Sequence, residues 1–458
     1  SNEDDEDDED DEEGEDDEDE EVGGGTLGWS ELDQACPVII DNGTALIKAG
    51  MAWQPEPQWV QPSCIACPTA NSTLGLSKKM LIGGEVMPFV FNDFDQLHRI
   101  NDEVFSDTPS NWADLELLWQ YILDELNIHL GSHPVLMTLP MHAHPKVQQH
   151  VTEVVLETVG SPAVYIEQAS LLPYYASQRH RTPSRSALVI DIGHSSTQIV
   201  ALADQTVIMG KKCPHLGGRA LEKLLGVHLS KSSPQLMPVS LTPSFAGFES
   251  THSYLSKWLA ADVAKRLTQV APDKDTYFAV RVDANIERTA ALRKEYHVAW
   301  DVEAKEPVTL CYELLDSGEY LFQPQTILND FDESVISLPQ AVAEVVRACP
   351  ANLRKELVEN TVVSGGVSKM RGLVPRLTAE LAHVLPGDLP KHVHVLADDS
   401  PVTATWRGGR ELCSMVDFQK RWYFKWQLEE EGYHRVFLKS KVTKDPTQSR
   451  RASLVISS

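Results

Sequence analysis

Val38-Ile39-Ile40-Asp41-Asn42-Gly43-Thr44 recurs in kind, about 150 residues later, as Leu188-Val189-Ile190-Asp191-Ile192-Gly193-His194-Ser195. Each copy is a wholly apolar run that ends in Asp, then turns through Gly to a small hydroxyl residue. Such a run predicts a strand buried on both faces. The Asp then stands where the strand leaves the core, with its carboxylate projecting into whatever cleft lies there. Glycine allows a tight turn whose backbone N–H groups point at an anion. The repetition implies a duplicated α/β fold with two phosphate loops facing each other across a cleft. A third loop, Thr361-Val362-Val363-Ser364-Gly365-Gly366, is a strand entering paired glycines before a helix, whose N-terminus favours phosphate.

Around these loops, strand and helix patterns alternate. The clearest helix follows Ser110 as N-cap, with Trp112, Leu115, Trp119, Ile122 and Leu126 on one face. Helices also fit 144–158, 216–226, 338–348 and 369–383. The stretch 226–290, broken by Pro234, Pro238 and Pro243, reads as an irregular or partly helical insertion.

The chain of 458 residues is long enough for two or three domains. No apolar run approaches the roughly 20 residues of a membrane helix, and no signal peptide opens the chain. A soluble, intracellular protein that engages no membrane is expected. Between Glu3 and Glu21 every residue except Gly14 is acidic, and taking these 18 charges from the net −27 leaves −9. The run repels itself and has nothing to bury, so disorder is expected. It fits a basic partner such as histone tails, a shield against nucleic acid, or a solubilising tail without a partner. The body shows no basic stripe interleaved with aromatics, so direct nucleic-acid binding is not expected.

The seven cysteines, Cys36, Cys64, Cys67, Cys213, Cys311, Cys349 and Cys413, form no disulfide framework. The Cys64–Cys67 pair lacks the second half of a zinc site. Arg450-Arg451-Ala452-Ser453 has the form of a basophilic kinase site, a pattern common by chance.

In their order, these motifs resemble actin and the actin-related proteins over 36–440. Asp41-Asn42-Gly43-Thr44 through Lys48-Ala49-Gly50 is similar to actin's first phosphate loop. Asn111-Trp112, His133-Pro134-Val135-Leu136-Met137-Thr138, Pro162-Ala163-Val164-Tyr165 with Gln168-Ala169, and Tyr175-Ala176-Ser177 follow. Then come Leu216-Gly217-Gly218-Arg219, Tyr312-Glu313-Leu314, the third loop, Trp406-Arg407-Gly408-Gly409, and Phe418-Gln419 with Trp422.

The resemblance implies an actin-like fold: two ribonuclease-H-like lobes around a cleft that holds ATP or ADP with Mg²⁺. Lobe 1 would span 35–178 and lobe 2 179–405, with the insertion at about 226–290 in the small outer subdomain. A return to lobe 1 over 406–440 would follow, with flexible tails at 1–34 and 441–458. By carry-over, Gly43, Thr44 and Lys48 hold phosphate, and Asp41 and Asp191 orient the hydrated metal. Gly193 lines the second loop, Ser364, Gly365 and Gly366 flank the nucleotide, and Lys294 and Glu295 lie near the base. Gln168 is the vestige of the group that positions the attacking water.

The departures matter. His194 replaces the second acid of the second loop, Gln198 replaces a histidine, and Ala45 replaces a glycine. Phosphoryl transfer depends on positioning and charge compensation, so these changes imply nucleotide binding with weak or absent hydrolysis. The alternative is an empty cleft in which Asp41 and Asp191 are leftover polar residues. The insertion, and a stretch 69–80 unlike actin's subunit-gripping loop, predict a chain that does not polymerise alone. It would be one copy in a multiprotein complex, alongside actin or another actin-related protein, or a cap at a filament end. A partner helix would dock near Phe418 and Trp422. Three roles stay open: a nuclear subunit of a chromatin-remodelling complex, a cytoskeletal subunit of dynactin-like or axonemal kind, and an active ATPase.

Overall fold

The computed structural model describes residues 35–68, 80–83, 94–99, 112–141, 143–179, 184–232, 260–282, 294–296, 308–310, 312–327 and 335–432. The acidic tail, 69–79, Ser110, Cys311 and the basic C-terminal tail lie outside them, as does much of 226–290.

The first apolar run is β1 (Val38–Asn42), buried at every position. It turns into β2 (Leu46–Met51) and then β3 (Trp59–Pro62), an antiparallel meander. A smaller sheet of β4 (Cys64–Pro68), β5 (Leu81–Ile82) and β6 (Phe94–Arg99) follows. Helix α1 (Trp112–Glu125) returns the chain to β7 (Val135–Leu139), parallel to β1. Helix α2 (Pro145–Glu153), extended by a π turn over Val154–Thr158, leads to β8 (Ala163–Gln168), parallel to β7. Helix α3 (Leu172–Gln178) then crosses to the second lobe.

There the pattern repeats. The strands β9 (Ser186–Ile192), β10 (Thr197–Ala203) and β11 (Thr206–Cys213) form an antiparallel meander, and β9 is buried throughout. Helix α4 (Gly218–Ser232), a helix over 260–267, α5 (Lys274–Val282), the hairpin β12 (Lys294–Tyr296) and β13 (Val308–Leu310), and α6 (Tyr312–Glu319) follow. The described parts of 226–290 are thus mostly helical, with a non-helical link over 268–273. Helices α7 (Leu338–Ala348) and α8 (Ala351–Glu359) precede β14 (Thr361–Ser364), parallel to β9. Helix α9 (Leu373–Val384) leads to β15 (Val395–Ala397), parallel to β14. Helix α10 (Ala404–Cys413), β16 (Tyr423–Phe424) and α11 (Lys425–Glu431) return to lobe 1, where β16 pairs antiparallel with β8.

The two main sheets run β16-β8-β7-β1-β2-β3 and β11-β10-β9-β14-β15. Without β16 they share one topology: a meander whose first strand lies at the centre, flanked by two parallel strands. The duplication read from two short motifs is therefore a duplication of whole lobes.

Helix positions follow the apolar periodicity. Leu115, Leu118, Trp119, Ile122 and Leu123 form the buried face of α1. A capping box of Ser337 and Gln340 opens α7. The helix expected over 369–383 begins at Leu373, after Gly372, which sits at φ +86°. A Cβ there would stand 2.6 Å from the Val270 carbonyl oxygen, which favours glycine at this turn.

Each lobe has its own core, and a third cluster joins them. Ile39 and Leu136 of lobe 1 pack with Val189 and Val200 of lobe 2 around fully buried Trp406. Its indole N–H donates to the Ile39 carbonyl at 3.1 Å.

Candidate functional site

The β1–β2 hairpin pairs Asp41 with Lys48 in register, which places both side chains on one face. Lys48 Nζ lies 2.9 Å from Asp41 Oδ2, and both residues are buried. Asp41 Oδ1 accepts the Thr138 hydroxyl of β7 at 3.0 Å. Thr138 Oγ1 in turn accepts the Asn42 amide. The Asn42 side chain accepts the Trp119 indole N–H at 2.8 Å, which ties the loop's base to α1. At Gly43 a Cβ would stand 2.3 Å from the Leu46 carbonyl, so only glycine closes this turn. The Gly43 and Ala45 carbonyls accept the Ser63 hydroxyl and amide. With its oxygens tied back, the turn leaves the Thr44 and Ala45 amides without partners among the described residues.

In the second lobe Asp191 occupies the position of Asp41, and its register partner is Gln198 rather than a lysine. The Gln198 side chain is taken up elsewhere, accepting the Met141 amide of lobe 1 at 2.8 Å. Burial, reinforced by the Asp41 charge and relieved in part by Lys48, pushes the Asp191 carboxyl up to about 7. The loop itself is anchored to α4. The Gly193 and His194 carbonyls accept the Gly218 and Arg219 amides at 3.0 and 2.8 Å. His194 Nε2 lies 3.1 Å from Glu222 Oε2, so the imidazole is engaged with α4. The Ser195 amide has no partner among the described residues.

The third loop closes behind Asp191. Ser364 pairs with Asp191 in register, and Gly365 adopts φ +89°. A Cβ at Gly365 would stand 2.3 Å from the Ile192 carbonyl and 2.6 Å from Asp191 Oδ1, so this glycine is required for the approach. Gly366 borders open space, with nothing within 4 Å of a Cβ there. Ser364 is fully buried and its hydroxyl faces the Pro401 carbonyl at 3.5 Å, so the open member of the triplet is Gly366.

Gln168 stands at the end of β8, its buried Oε1 without a hydrogen-bond partner in the described structure. Lys294 and Glu295 lie in the two-stranded β12–β13 hairpin, in register with Leu310 and Thr309. Beyond the third loop, Gln269 bridges to Arg371 and the Val270 amide donates to the Arg371 carbonyl at 2.8 Å.

Ser63 and Glu222 were not singled out in the sequence, while Thr138 entered only as part of a family motif and Trp119 only as a helix face. Hairpin numbering could have indicated the Gln198 contrast with Lys48. The other contacts cross between elements far apart in the chain and leave no local signal.

These groups fit a nucleotide carrying a divalent ion. Two carboxylates and one ammonium converge, and loop amides on both sides lack partners. Among the described residues no three or more His, Cys, Asp or Glu side chains gather for a metal. Two carboxylates suit an ion that keeps its water shell and is shared with phosphate oxygens, as Mg²⁺ is usually bound.

A sequence profile of the family described as Actin matches residues 32–441. Actin-related protein 6 of Drosophila melanogaster is 26% identical over 418 residues, which is 87% of this chain and 98% of that protein. Actin-like protein 9 of Mus musculus is 29% identical over 405 residues, 88% of each chain. Its counterpart in Homo sapiens is 26% identical over 405 residues, covering 88% and 87%.

Proposed function

The chain belongs to the actin family, and from that premise we propose that it is a nucleotide-binding, weakly hydrolysing or non-hydrolysing structural subunit of a multiprotein complex. The convergence of Asp41, Lys48 and Asp191 beneath loops with unpaired amides carries the binding half of this reading. Thr44, Ala45, Lys48, Ser195 and Gly366 would receive the phosphates and sugar, and Asp41 and Asp191 would hold the waters of the ion. The bound ion would neutralise phosphate charge.

Chemistry is another matter. Hydrolysis needs a group that orients water at the terminal phosphate. Gln168 has an open acceptor there, but Gln198 is committed to Met141 and His194 to Glu222. Gln198 carries no titratable proton, and Glu222 holds the His194 ring against α4 through Nε2.

The acidic tail favours a nuclear, histone-rich setting among multisubunit complexes, with a cytoskeletal complex as the alternative. A chromatin-remodelling complex would supply both the basic partner and a second actin-family subunit. Gentle purification of the tagged chain, with mass spectrometry of companions and extraction of bound nucleotide, tests both halves. Bound ADP or ATP together with remodelling subunits is the expected result. Dynein or axonemal companions would replace the nuclear role, and a nucleotide-free protein that ignores Mg-ATP would overturn the binding role. In a turnover assay, phosphate release is expected to stay near background even with saturating Mg-ATP; rapid release would restore the active-ATPase reading.

A further inference from the structure

Arg407, second in the Trp-Arg-Gly-Gly motif, takes no part in the site described above, yet it meets both lobes. Its Nη2 reaches the Asp398 carboxylate and donates to the Ser400 carbonyl at 3.0 Å. Its Nε faces the Thr403 hydroxyl at 3.4 Å and Glu56 Oε1 at 3.4 Å. Glu56, in the turn between β2 and β3, also accepts the Thr403 hydroxyl at 2.8 Å. The guanidinium thus gathers the segment 398–403, which carries the chain from lobe 2 back to lobe 1, against the edge of lobe 1. The Arg407 and Asp398 side chains are 19% and 9% exposed, so this is not a loose surface pair.

The same six residues support the third loop. The Pro401 carbonyl accepts the Gly365 amide at 3.2 Å and the Ser364 hydroxyl. Gly365 in turn wraps the Asp191 carboxylate. The helix carrying Arg407 is seated on the other crossing between lobes. A Cβ at Gly408 would stand 1.8 Å from the Leu172 carbonyl of α3, an approach only glycine permits. One short linker is therefore gripped by an arginine on one side and holds a ligand loop on the other.

We propose that Arg407 is a positioning residue: with Glu56 and Asp398 it latches the linker 398–403 and thereby holds the Gly365–Gly366 loop in its ligand-ready position. A planar guanidinium suits the task because it addresses several acceptors in fixed directions at once. The predicted effect on nucleotide rests on the reading of the cleft given above; the predicted effect on the loop does not.

The test compares the full-length chain with Arg407→Ala, Arg407→Lys and Glu56→Gln. Hydrogen exchange at the Gly365 amide, without nucleotide, is expected to speed up roughly tenfold or more in Arg407→Ala while the β1 amides keep their rates. Release of N-methylanthraniloyl-ATP with Mg²⁺ accelerates in parallel. Arg407→Lys recovers only part of both effects, since a compact ammonium cannot span four acceptors distributed around Nε and Nη2 of a planar fork. Glu56→Gln gives a smaller change in the same direction. Unchanged Gly365 exchange, or equal acceleration across both sheets, would overturn the latch. If the unaltered chain binds no nucleotide, the reading of the cleft fails, and Gly365 exchange still decides the latch.

Discussion

Asp191→Asn is expected to make the nucleotide-free protein more stable at pH 8 while it weakens the binding of Mg-nucleotide. The folded carboxyl is pushed from an ordinary 3.8 to about 7 by burial and by Asp41. Between those values the folded chain keeps a proton that the unfolded chain releases. Stability from this group is therefore full below about pH 4 and declines as pH rises, until the folded carboxyl also ionises near 7. The loss amounts to something on the order of 4 kcal/mol. Asparagine has the same shape without the charge, so the variant should melt several degrees higher at pH 8. Its advantage should vanish toward pH 4. Thermal melts across that range, with and without Mg-ATP, read both effects. A variant that melts no higher at pH 8 would mean that the folded protein already compensates the charge. Such an opposition between stability and site chemistry is the mark of a carboxylate kept for a ligand.

Removing the arginine at the heart of lobe 2 should do the reverse. Arg376 on α9 is buried and grips Glu319 of α6 through two hydrogen bonds, at 2.9 and 3.2 Å. It also donates to the Ala271 carbonyl at 3.0 Å and to Glu380 at 2.8 Å. Its guanidinium lies over the Phe322 ring, 4.9 Å from the centroid. Burial already holds the Glu319 carboxyl above its usual range, and Arg376 draws it partly back. Arg376→Ala leaves that carboxylate buried with no counter-charge and only the Gln323 amide as partner, and should destabilise the fold by about 3–5 kcal/mol. Urea unfolding at pH 7 and pH 5 checks this, with a smaller deficit at pH 5, where Glu319 is more readily protonated. Arg376→Met combined with Glu319→Gln should lose much less, since no charge is left stranded. If the single variant unfolds at the parent's midpoint, the pair does not stabilise the lobe.

Both predictions concern residues whose surroundings cross the chain. Asp191 was conspicuous in the sequence because an apolar run ends on it. That its neighbour in the pairing strand is a neutral Gln198, where Asp41 has Lys48, follows from hairpin register. Arg376 is unremarkable as letters, an arginine in an amphipathic helix. Only its packing against α6 makes it the partner of Glu319. Gly372, before the helix start at Leu373, shows the same limit on a smaller scale, since the carbonyl that crowds it comes from residue 270.

The sequence by itself determined the duplicated lobes, the three glycine loops and most helix positions. Those features rest on interactions within a few residues: strand burial, turn geometry, capping and helical periodicity. The apolar runs singled out Asp41 and Asp191, and the resemblance to actin added Lys48 to this charged centre. The tertiary structure decided how that centre is balanced and held. The engagement of His194 with Glu222, the seating of Gly365 on Asp191 and the hold of Arg407 on Glu56 are contacts between distant segments. Burial and charge compensation depend on everything that folds around a group, and no local pattern encodes that.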